Sequence, residues 1–171
     1  MIAVVDTNVP VIANGKSPQA SPECVVACVE RLQQLLMTGR LVLDDGRRII
    51  REYQANLRSG AQPGFGDAFL KWVLTNHTNP ARCERITIHE MSGPAEDYRE
   101  FPNDLALAFF DPADRKFVAV ALAHREHPPI WVAVERDWWN FRNPLADAGV
   151  GVEFLCEDDM KRLLRTRRSA R

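Results

Sequence analysis

Asp6, Glu52, Asp114 and Asp137 are acids whose placement along the chain could do chemistry. Asp6 directly follows the apolar run Ile-Ala-Val-Val at 2–5, and Asp137 lies just beyond a second apolar run at 130–134. Short, β-branched apolar runs fit strands buried on both faces. In an open α/β sheet, ligands bind outside the carboxyl ends of such strands. Two carboxylates brought together there repel one another unless a cation lies between them. Glu52 sits among Ile49, Ile50 and Tyr53 of an amphipathic helix and can point toward the same edge. Asp114 falls in the first turn of another helix, where the macrodipole favours a carboxylate. Oxygen donors of this kind suit Mg²⁺ or Mn²⁺, hard cations that keep waters and recruit phosphate oxygens.

Each acid also has a plainer reading. Asp6 can be a strand-end turn residue, Glu52 a solvated helix acid and Asp114 the partner acid of a cap. Asp111, ahead of Pro112 at the first helical position, reads as an N-cap. Glu135 follows the same strand as Asp137 and is an alternative to it, although strand alternation favours Asp137. Only the joint placement of the acids lifts the functional reading.

The elements that must position these acids alternate between strand and helix. After the strand at 2–5, Ser21-Pro22 reads as an N-cap with proline at the first helical position. The helix it opens carries Val25, Cys28, Val29, Leu32, Leu35 and Leu36 and stops at Gly39. A strand at 41–43, the turn Asp44-Asp45-Gly46 and the Glu52 helix follow, then a glycine-rich loop at 59–66 and a helix at 67–74. Strands are predicted at 86–88, 130–134 and 152–155, with an irregular stretch at 92–112, an apolar helix from Asp114 and a final helix through Leu164. This alternation predicts an α/β fold with a parallel sheet covered by helices on both faces.

The 171 residues, 46% hydrophobic and 26% charged, fit one domain at 1–164, with a basic tail at 165–171 that is expected to be disordered. No apolar run approaches the roughly 20 residues that span a bilayer, and the opening has neither a basic n-region nor a cleavage site. A cytoplasmic protein without a membrane segment is expected. A net charge of −1 argues against a protein that coats nucleic acid through its overall field, but it leaves room for an enzyme with local arginines. Cys24, Cys28, Cys83 and Cys156 form no Cys-x-x-Cys pair, so reduced, buried thiols are expected, with Cys24 and Cys28 filling core along one helix face.

The segments Val-Val-Asp6-Thr7-Asn8, Glu52, Asp114-Arg-Lys-Phe-Val-Ala-Val-Ala-Leu122 and Val134-Glu-Arg-Asp137-Trp together resemble the PIN domain over nearly the whole chain. The resemblance implies a three-layer fold with a central parallel sheet of about five strands. It implies metal-binding acids at Asp6, Glu52, Asp114 and Asp137, with Thr7 orienting a carboxylate or a metal-bound water. The implied activity is Mg²⁺- or Mn²⁺-dependent hydrolysis of single-stranded RNA by in-line attack, leaving a 5′-phosphate and a 3′-hydroxyl. Many small members of that family are toxins, which implies an antitoxin protein as a partner, and members often dimerise, which implies a homodimer.

Arg47, Arg48, Arg51 and Arg58 cluster around the Glu52 helix as candidate phosphate contacts or a solvated face. Trp138 and Trp139 are candidate base-stacking residues or core. His124 and His127, before Pro128-Pro129, read as a capping or surface pair. Two other functions compete: a non-catalytic RNA- or protein-binding scaffold of the same fold, and a metal-dependent phosphohydrolase with a nucleophilic strand-end Asp. Asp6-Thr7-Asn8 lacks the second acid of the Asp-x-Asp pair that haloacid-type phosphatases use, which weakens the phosphohydrolase.

Overall fold

The apolar run at the start of the chain forms β1 (Ile2–Val5), the central strand of the sheet, and its residues 3–5 have no exposed surface. A computed structural model describes residues 1–57, 63–93 and 96–168, with side chains through Arg165. Five parallel strands stand in the order β3-β2-β1-β4-β5, with β2 at Arg40–Asp44, β3 at Cys83–Ile86, β4 at Ile130–Val132 and β5 at Val152–Phe154. The expected α/β fold with helices packed around a five-stranded parallel sheet is therefore observed. Register is fixed by pairs such as Ala3 with Leu41 and Val5 with Trp131.

The winding explains where a site can form. From β1 the chain steps outward to β2 and β3, then returns to the other side of β1 for β4 and β5. Because crossovers between parallel strands are right-handed, this reversal sends the second set of helices to the opposite face. Beyond the carboxyl ends of β1 and β4, connections diverge and leave a crevice.

Helix α1 (Asn8–Ala13) begins almost at once after β1. The sequence pattern did not assign this short helix. The long α2 (Pro22–Thr38) has the expected ends: the Ser21 side chain accepts from the Cys24 N–H at 3.2 Å, and the chain turns out at Gly39. Then come α3 (Arg48–Asn56) and α4 (Phe65–Asn76). Gly66 at the start of α4 lies so close to α1 that an added Cβ would meet the Pro10 carbonyl oxygen at 1.9 Å.

Helix α5 (Arg115–Ala123) packs on the sheet with residues 116–121 buried, as the expected apolar helix. It starts one residue after Asp114, which belongs to a preceding 3-10 turn, Pro112–Asp114. The short α6 (Arg136–Asn140) and α7 (Arg142–Asp147) follow β4. The last helix, α8 (Glu157–Arg168), runs past Leu164, where the sequence reading ended it, and residues 169–171 of the expected tail lie outside the described residues. Arg58 and residues 59–62 of the expected loop also lie outside them. No helix among the described residues is long and apolar enough to cross a membrane.

Two expectations need correction. The third strand lies at Cys83–Ile86 rather than 86–88, because its charges are absorbed locally. Glu84 pairs with Arg40 of β2 and accepts from His124 Nε2 at 2.9 Å, so a polar residue sits comfortably in an edge strand. The cysteines are not all reduced: Cys24 and Cys156 form a disulfide across 132 residues, and Cys28 and Cys83 remain buried thiols. No sequence spacing foreshadows that bond, since packing of α8 against the first turn of α2 creates it.

Candidate metal-binding active site

Asp6, Thr7, Asn8, Val11, Glu52, Asn56, Asp114 and Glu135 line one cavity of about 240 Å³. It lies in the crevice between the ends of β1 and β4. The Asp6 N–H donates to the Trp131 carbonyl at 3.0 Å, and the Ala133 N–H donates to Asn8 Oδ1 at 2.8 Å, which ties the two strand ends together. The Asn8 N–H in turn donates to Asp6 Oδ1 at 2.9 Å and fixes that carboxylate.

Glu52 is aimed by two contacts. Tyr53, buried beside it, donates its hydroxyl to the Val5 carbonyl at 2.5 Å and pins α3 to the end of β1. The Thr7 hydroxyl donates to Glu52 Oε1, also at 2.5 Å, which gives Thr7 a carboxylate-orienting contact of the kind expected. The other oxygen, Oε2, meets the Lys116 ammonium at 2.6 Å. Lys116 is 4% exposed and donates also to the Ala113 carbonyl.

Asp114 enters from the 3-10 turn. Asp111 caps that turn by accepting from the Ala113 N–H at 2.9 Å, as read from its position before Pro112. Its carboxyl therefore serves the backbone, while that of Asp114 lines the cavity.

Asp6, Glu52 and Asp114 thus converge, but Asp137 is not one of the described residues lining the cavity; Glu135 stands there instead. Strand β4 ends at Val132, and Glu135 becomes the extended N-cap of α6, holding the Arg136 N–H at 2.9 Å. Asp137 is already in the first helical turn, two positions on. The change from extended to helical backbone between them breaks the alternation that would have put the two side chains on one side. The alternation argument for Asp137 assumed a strand continuing to 134, and β4 stops short of it.

The electrostatics follow from this crowding. Burial pushes the Asp6 carboxyl up to about 7, with the Asn8 N–H opposing and Glu52 and Glu135 adding repulsion. Burial likewise raises Asp114 to about 9, with Asp6, Asp111, Glu52 and Glu135 each raising it further. The Tyr53 hydroxyl is held well above its ordinary value by burial and by the neighbouring acids. Among these carboxylates Lys116 is a counter-charge to Glu52 only, and the remaining donor set is all oxygen, which suits a hard divalent cation.

A second cavity, about 590 Å³, shares Glu52 and Asn56 with the first and adds Arg48, Arg51 and Lys116 together with Glu90, Glu96 and Tyr98. Arg48 is already engaged with Asp44 and with Glu90 at 2.6 Å, whereas Arg51 donates to the Gly46 carbonyl at 3.0 Å. Of the other candidates, Trp138 is wholly buried, which removes it as a stacking platform, and Trp139 packs edge-on against Phe154 with rings 5.0 Å apart. His124 is the C-cap of α5, the capping role rather than the surface one of the two expected; it is buried, its Nδ1 accepting from the Glu126 N–H at 3.0 Å and its Nε2 facing Glu84.

Lys116, Asn56 and Glu135 are the site residues that sequence reasoning missed or ranked second. Glu135 carried a usable signal: like Asp6, it is the first polar residue after an apolar run. Lys116 carried none, since a lysine beside Arg115 at a helix start reads as solvated. Comparison with known proteins finds no matching family model, no matching curated protein and no matching solved structure.

Proposed function

We propose that the chain is a divalent-metal-dependent nuclease of the PIN type that hydrolyses phosphodiester bonds of single-stranded RNA in the cytoplasm. The observation that carries this reading is the meeting of Asp6, Glu52, Asp114 and Glu135 around one cavity at the β1–β4 crevice, with Asp6 and Asp114 strongly raised. We assign the fourth acidic position to Glu135 in place of Asp137.

Mg²⁺ or Mn²⁺ bound there would supply Lewis acidity toward water and phosphate oxygen. The chain's own part is preorganisation. Asn8 holds Asp6, Thr7 and Lys116 hold the two oxygens of Glu52, the capped turn holds Asp114, and the start of α6 holds Glu135. None of these carboxylates has to be ordered when substrate arrives, so little reorganisation is needed during the reaction. Arg51, exposed in the adjoining cavity, places positive charge where a neighbouring phosphate of a strand would lie.

Lys116 is also the observation that favours a non-catalytic, RNA-binding scaffold, because its ammonium already neutralises part of Glu52. The two readings separate in one assay. With Mn²⁺ and labelled single-stranded RNA, a nuclease yields shorter fragments ending in 5′-phosphate, and Asp6→Asn and Asp114→Asn lose the activity while staying folded. RNA retention without turnover would establish the scaffold. Cleavage at parental rate in either variant would refute the acidic site.

A further inference from the structure

Cys24 and Cys28 lie one turn apart on one face of α2, and Cys156 arrives from the far end of the sequence as the residue before α8. The three sulfurs lie within 4.8 Å of one another and all three residues are buried. In this structure Cys24 and Cys156 are bonded, and the Cys28 Sγ stands 3.9 Å from that of Cys156. Spacing alone makes Cys24 and Cys28 core filling. The third sulfur changes what they can do.

We propose that the reduced protein binds a zinc-class metal ion at Cys24, Cys28 and Cys156, a site separate from the acidic cavity and mutually exclusive with the disulfide. A tetrahedral ion with metal–sulfur bonds of about 2.3 Å holds its sulfurs roughly 3.8 Å apart. Cys28 and Cys156 already have that separation, and Cys24 needs only to part from Cys156 once their bond is reduced. Two helix N-termini favour thiolates here: Cys24 is in the first turn of α2, behind Ser21 and Pro22, and Cys156 immediately precedes α8.

Access comes through a surface cavity of about 410 Å³ lined by Cys24 and Cys156 and rimmed by Glu23, Glu157, Asp158 and Asp159. The acids draw a cation inward, and the opening leaves the fourth coordination position to water. Soft thiolates select a different metal from the oxygen donors between β1 and β4. A reducing compartment supplies the thiol form.

The step balances simply. A dithiol reductant gives two electrons and two protons to the Cys24–Cys156 bond and leaves as a disulfide; the incoming ion then displaces the thiol protons to solvent. Burial, aided by the Asp159 charge, raises the Cys28 thiol to about 12. Displacement of its proton by the ion turns it into a ligand.

The test uses the full chain, reduced anaerobically, freed of reductant and titrated with Co²⁺ as a spectroscopic substitute for zinc. A thiolate-to-cobalt charge-transfer band should saturate at about one equivalent, disappear on adding Zn²⁺ and be absent from unreduced protein. Cys28→Ser keeps the disulfide pair and should bind about ten-fold more weakly or worse. Cys83→Ser and Asp6→Asn should match the parent. A reduced parent that gives no such band, a reduced parent that unfolds by circular dichroism in the presence of the metal, or a Cys28→Ser variant that binds like the parent overturns the proposal.

Discussion

Replacing Asp114 by asparagine should make the metal-free protein more stable. Folding raises this carboxyl from 3.8 to about 9 and that of Asp6 from 3.8 to about 7. Between those limits the folded state holds protons that the unfolded chain has released, so stability falls as pH rises through the window and is greatest at its acid end. At about 1.4 kcal/mol per pH unit, the part of the Asp114 shift that lies below pH ~8 would cost about 6 kcal/mol. Asp114 is partly exposed and titrates beside Asp6, so screening and mutual repulsion leave a fraction of that, about 1–2 kcal/mol. In a chain of this size the gain corresponds to about 3–6 °C in melting temperature. Thermal unfolding of Asp114→Asn and parent in chelator, followed from acid to mildly alkaline pH, should show the variant ahead at the alkaline end and the gap closing toward pH ~4. Excess Mn²⁺ should reverse the order, because only the parent gains the ion's binding energy. A variant that melts below the parent at the alkaline end in chelator, or a gap that widens on acidification, would refute the charge-crowding account.

Glu135→Gln should lower Mn²⁺-dependent RNA cleavage by about 10- to 100-fold while Asp137→Asn stays near the parental rate, as read by initial rates; equal losses would remove the assignment of Glu135. Thr7→Val should slow cleavage about ten-fold with little change in melting temperature, since it frees Glu52 Oε1 without emptying the core. Lys116→Met should destabilise the metal-free protein by about 1–3 kcal/mol in denaturant unfolding, because it strands the half-buried Glu52, and adding Glu52→Gln should restore part of the loss. Tyr53→Phe should lower stability by about 1 kcal/mol by leaving the buried Val5 carbonyl without its donor.

The elements were legible because hydrophobic periodicity is a local property. The run at 2–5 reads as a buried strand and Ser21-Pro22 as a helix start, and together with the later runs they point to a parallel α/β sheet with Asp6 just beyond the carboxyl end of β1. The sequence also brought Asp6, Glu52 and Asp114 forward as partners, and the fold places them around one cavity. Tertiary structure alone decided the rest, because it turns on direction rather than position. Strand β4 stops at Val132, so the chain turns early, and Glu135, the cap of α6, lines the cavity while Asp137 in the first helical turn is not among the described residues that line it. Lys116 becomes a buried counter-charge only because α5 lies against the acids, and Cys156 meets Cys24 only because α8 folds back onto α2. Contacts between residues far apart in the chain depend on how helices are phased and docked, and no local pattern encodes that.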